Sequence, residues 1–101
     1  MTRILRQDAG RLLASVSEEY VFRCCDSCIL RNMKELGEAF ANMTDETFTY
    51  HSNEDKNDFS NWVRDIIGDE KLARDIGKSL NRTQAAKNVS GRIAFLSSKL
   101  A

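Results

Sequence analysis

Proline is missing from this chain, glycine occurs only five times, and histidine and tryptophan occur once each. With no low-complexity tract and no internal repeat, only "HSNEDK" (51–56) reads as a flexible connector. A length of 101 residues without a linker leaves room for one core, so a single domain over 1–101 is expected. So small a domain buries only ~60–65% of its unfolded surface, which leaves a thin stability margin without a partner or oligomer. No apolar run approaches the ~18–20 residues that cross a bilayer, and "MTRILRQDAGRLL" has neither a signal-type apolar core nor a cleavage site. The expectation is a cytoplasmic protein with no membrane partner, its three cysteines reduced thiols rather than a disulfide framework.

An excess of charge is also missing, since 15 acids face 15 bases. The balance conceals segregation. From Glu35 to Asp75 there are eleven acids and four bases, whereas from Ile76 onward there are five bases (Lys78, Arg82, Lys87, Arg92, Lys99) and no acid. A basic tail lying against an acidic middle satisfies this pattern by simple Coulomb attraction. Five dispersed cations in a neutral chain are a poor footprint for nucleic acid, which is not expected as a partner.

What is present is helical spacing, in a composition (42% hydrophobic, 30% charged) ordinary for a soluble globular protein. A first helix is expected near 3–17, with Leu5, Ala9, Leu12, Leu13 and Val16 on one side and Ile4 off that stripe. "EYVFRCCDSCILRN" breaks the pattern: its aromatic and β-branched residues predict a short β-hairpin within 20–31, turning at Asp26-Ser27. Asn32 with Glu35 forms a capping-box signature for a helix burying Met33, Leu36, Phe40 and Met43. Thr44 caps another, with Met43 and Phe48 placed as a hydrophobic staple. Phe59, Trp62, Val63, Ile66 and Ile67 form the strongest amphipathic stripe, ended by Gly68. Asp69 then caps a helix carrying Leu72, Ala73, Ile76 and Leu80. A last helix over 82–100 turns Ala85, Ala86, Val89, Ile93, Leu96 and Leu100 inward. The fold class is mostly α, with five or six short helices and one small hairpin.

Order and spacing in the middle of the chain resemble a widespread, largely archaeal prokaryotic domain family of unknown function. The shared elements are "VFRCC", "NMKELGEAF", His51, Asn57-Asp58-Phe59, Trp62 and "GDEKLA" (Gly68 to Ala73), over about 20–80. Family members carry glycine in the hairpin turn where this chain has Asp26-Ser27-Cys28, so the turn type does not carry over. The resemblance implies a fold and no activity.

Three groups of residues are candidates for function. His51, Asn57, Asp58 and Trp62 cluster in "HSNEDKNDFSNW". A His–carboxylate pair, with Asp58 or Asp55 as the acid, can act as a general base. Asn57 or Asp58 can equally cap the helix that follows, and His51 can bridge two helix ends. The structural role is preferred, because no second histidine, glycine-rich phosphate loop or G-x-S-x-G elbow accompanies it, and neither catalysis nor a cofactor is expected. Cys25-x-x-Cys28 has the spacing of a zinc or dithiol site, and Cys24 with His51 would complete a four-ligand set. Adjacent Cys24 and Cys25 point to opposite faces of a strand, which disfavours that set and leaves Cys25 and Cys28 as cross-hairpin neighbours. Finally, Phe95 projects away from the buried stripe of the last helix, beside Arg92 and Lys99. Either the first helix covers it, or these three residues form an interface with a protein partner or second copy; the interface is preferred. The functional expectation is a small binding, adaptor or regulatory domain acting through protein contacts. A small-molecule or zinc-binding domain using His51, Asp58 and the cysteines is the alternative.

Overall fold

A computed structural model describes residues 4–100. Among them are six α-helices and a two-stranded antiparallel hairpin. Helix α1 (Arg6–Leu13) leads through a 3-10 turn (Glu18–Tyr20) into β1 (Phe22–Arg23) and β2 (Ile29–Leu30). There follow α2 (Met33–Asn42), α3 (Asp45–His51), α4 (Asp58–Trp62) with a π turn (Val63–Ile67), α5 (Glu70–Gly77) and α6 (Arg82–Ser98). Helix α6 is the spine: α2 packs along it, α1 and α5 flank it, and β2 lies on α2.

The contact of α2 with α6 depends on a missing side chain. A Cβ on Gly37 would stand 3.1 Å from Cγ1 of Val89, a fully buried valine. The predicted stripe of α2 is buried in full, Met33, Leu36, Phe40 and Met43 all contributing to the core. Helices α2 and α6 start by the same chemistry. Asn32 and Asn81 accept the amides of Glu35 and Gln84, whose side chains reach back to the amides of Arg31 and Leu80. The capping box at Asn32 is therefore displaced by one residue, because Glu35 accepts from Arg31 rather than from Asn32 itself.

The basic tail does lie on the acidic middle. Arg82 donates to Asp45 (3.0 Å) and to the Phe40 carbonyl at the end of α2 (2.6 Å), and Arg92 pairs with Asp69 (2.7 Å). Asn88 adds bonds to the Asp75 carbonyl and Ser79 at the end of α5.

Elsewhere the expected boundaries shift. Helix α1 begins at Arg6 and ends at Leu13, and a start at Arg3 lies outside the described residues. Ile4 packs on the core from the extended segment before it. The hairpin turns one residue earlier than expected: the Ser27 amide bonds to the Cys24 carbonyl, and Cys24 pairs across the turn with Cys28. Cys24, not Cys25, is thus the neighbour of Cys28. Ser27 takes φ +73°, the left-handed conformation that glycine adopts more cheaply. Val63–Ile67 widens into a π turn, with Gly68 (φ +89°) bonding back to the Val63 carbonyl. Its extra residue per turn rotates Ile66 off the stripe, leaving it 37% exposed, and keeps Ile67 buried. Leu80 is 86% exposed because α5 has already ended at Gly77, and Leu100 stands partly exposed past the end of α6.

Candidate functional site

Two polar clusters stand out, one closed on the protein and one at the floor of a groove. The first joins α3, α4 and the hairpin. His51, the last residue of α3, is 6% exposed among aromatic rings: Phe22 and Phe59 meet it edge-on at 5.2 and 5.3 Å. The Cys25 amide donates to its Nε2 at 3.0 Å, and that nitrogen must lack a proton to accept. The ring therefore donates from Nδ1 to Oδ2 of Asp58, at 2.9 Å. With both nitrogens engaged, the imidazole offers no lone pair to a substrate in this arrangement.

Asp58 sits in the first turn of α4, where a negative charge suits the helix end. Partial burial pushes its carboxyl up, but hydrogen bonds from His51 and Lys56 outweigh that and hold it below the ordinary 3.8. The cap itself is Asn57, which accepts the Ser60 amide at 3.0 Å. Asp55 stays exposed in the loop, and it is Asp58 that pairs with the imidazole. That loop is held by Asn53, which donates to the Thr49 carbonyl and accepts the amides of Asp55 and Lys56. "HSNEDK" is consequently a built turn rather than a linker. Trp62 is buried, and its indole N–H donates to the Tyr20 carbonyl at 2.7 Å. The sequence pattern brings His51, Asn57, Asp58 and Trp62 together as expected, around bonds that close on the protein itself.

Cys24 is buried, whereas Cys25 in the turn and Cys28 opposite Cys24 at the hairpin end are exposed, all three as free thiols. Burial, with help from the Asp26 carboxylate and the neighbouring thiols, pushes the Cys24 thiol up to about 12. It is neither a ready nucleophile nor a cheap thiolate ligand. Among the described residues, no three His, Cys, Asp or Glu side chains group as a metal site would need.

The second cluster was only partly visible in the sequence. The segment around Ile4, helix α1, the π turn, α5 and α6 enclose an open groove of about 1170 Å³. Six cations line it (Arg11, Arg64, Lys71, Arg74, Lys87, Arg92) against four carboxylates (Asp8, Asp69, Glu70, Asp75). At its floor, Arg92 and Asp69 form a two-pronged ion pair of 2.7 and 3.1 Å, with side chains 9% and 1% exposed. Oδ1 of Asp69 also accepts the Leu72 amide, so the residue expected as a cap does cap α5 while holding an arginine.

Arg92, expected with Phe95 and Lys99 at an interface, is a largely covered partner of Asp69 that still lines the groove. Phe95 remains 42% exposed, so α1 does not cover it. The Arg92 guanidinium and the Lys99 ammonium lie over its ring at 5.4 and 5.0 Å. The signal that could have found Asp69 was the charge segregation, which demands acids in the middle for the arginines of the tail. No family model matches the chain, and neither a curated protein nor a solved structure proved similar to it.

Proposed function

We propose that this chain is a small cytoplasmic binding domain, adaptor or regulatory in kind, that works through protein contacts and performs no catalysis. One observation carries the reading. Four of the five phenylalanines are buried, whereas Phe95 stands 42% exposed on the groove between two cations. An aromatic ring held in place by flanking cations loses little freedom on docking and offers a large apolar area, which is why such residues anchor interfaces. Exposed thiols at Cys25 and Cys28 suit a reducing compartment. Kinship with the largely archaeal family of unknown function belongs to the same proposal, supported by the order of His51, Asn57-Asp58-Phe59, Trp62 and Gly68–Ala73.

The partner is another protein or a second copy of the chain. Light scattering and affinity capture with the wild type and Phe95→Glu separate the two. Loss of self-association, or of a captured partner, on substitution supports the reading. A wild type that is monomeric, and a variant that retains every captured protein, overturn it.

A further inference from the structure

The floor of the groove holds an arginine fixed on one side and open on the other. Nε and Nη2 of Arg92 are taken by Asp69, whose carboxylate is itself held by the Leu72 amide. Among the described residues Nη1 donates to no protein atom, and no buried side-chain nitrogen or oxygen lacks a partner. Nη1 is therefore not sealed in the interior, and because Arg92 lines the groove its two N–H groups are the donors left for an acceptor there.

The surrounding charge has the matching sign. Three of the four lining carboxylates are already paired with lining cations: Asp8 with Arg11, Asp69 with Arg92, and Asp75 with Lys71. Arg64 is paired with Asp65 beside the groove. Of the lining charges without an ion pair among the described residues, Arg74 and Lys87 outweigh Glu70. A guanidinium whose rotamer is already fixed loses little entropy on meeting a carboxylate, and a charge-assisted bond is about twice as strong as a neutral one. The Phe95 ring beside it supplies an apolar shelf.

We propose that this groove docks an acidic peptide segment of a partner protein, with a carboxylate on Nη1 of Arg92 and a neighbouring apolar side chain on Phe95. Arg74 and Lys87 take further carboxylates of the same segment. This rests on the reading of the Phe95 face as a protein contact, and makes it specific for sign and chemistry.

A random dodecapeptide library displayed on phage and selected on the immobilised full chain tests it without presuming a sequence. Enriched peptides should carry Asp or Glu beside aliphatic or aromatic residues. The leading synthetic peptide should bind more weakly as salt rises. Its affinity should fall roughly tenfold or more with Arg74→Glu/Lys87→Glu, which alters exposed residues only, and with Arg92→Lys if that variant keeps the wild-type circular dichroism. Acid-poor peptides that still require Phe95 overturn the acidic preference and leave the protein-contact reading standing. No enrichment, or binding indifferent to every variant, overturns both. A labelled single-stranded oligonucleotide that binds the groove more tightly than the peptide overturns the choice of a protein partner.

Discussion

The His51–Asp58 junction and the Asp69–Arg92 floor are built alike, each setting a basic side chain against an acid at the start of a helix. They differ in what is left over. At the junction both imidazole nitrogens, the indole N–H and the amide at the entrance of α4 all end on protein atoms. On the floor, two donors of one guanidinium remain, facing a groove with an exposed aromatic ring. Rarity of residue type marked the first place, and it is a joint. Common residues, aspartate and arginine, built the second. Unused hydrogen-bonding capacity therefore separates the two better than chemical distinctiveness does.

The comparison can be strained most at Asp69. Asp69→Ala leaves the buried Arg92 charge unpaired and removes the cap of α5, a loss of about 3–5 kcal/mol that urea unfolding would read. A loss under 1 kcal/mol would mean that the floor is not closed by this pair. At the junction the expected loss is smaller. Asn57→Ala removes the cap of α4 and should cost about 1 kcal/mol.

Asp58→Asn should cost stability at neutral pH and cease to matter in acid. A carboxyl held below its ordinary value adds stability that is present above about pH 4 and disappears as pH falls through the folded value. Wild type should therefore lose more stability than Asp58→Asn on acidification through that range. Equal acid limbs would show that the carboxylate is not held by His51 and Lys56. Ser27→Gly should raise stability by roughly 0.5 kcal/mol, relief of the left-handed serine exceeding the entropy that glycine adds to the unfolded chain. Smallest of all is Phe95→Glu, expected within about 0.5 kcal/mol of wild type because the ring is exposed.

Most of the fold was legible in the sequence because its signals are local. Asn32, Thr44 and Asp69 cap the helices they precede, Gly68 ends the strongest stripe in the left-handed conformation, and the stripe of α2 is buried throughout. Failures cluster where periodicity is interrupted by backbone geometry. A regular 3.6-residue repeat places Ile66 inward, and the π turn does not keep that repeat. Leu80 continued the stripe of α5 on paper, beyond the residue at which the helix stops. The junction was legible since its four residues lie within twelve positions of one another. The floor was not, because Asp69 and Arg92 are 23 residues apart and meet only through the packing of α5 on α6. Phe95 was found by its departure from the buried stripe, but the burial of Arg92 beside it required the three-dimensional partner.

Affinity for the library-selected peptide, measured on Asn57→Ala and Phe95→Glu side by side under conditions where both are folded, bears most directly on the division of labour. The account predicts a crossed result, with Asn57→Ala less stable yet binding as wild type and Phe95→Glu as stable as wild type yet no longer binding. Weakened binding by Asn57→Ala, with undiminished binding by Phe95→Glu, would place function at the imidazole junction and contradict the account.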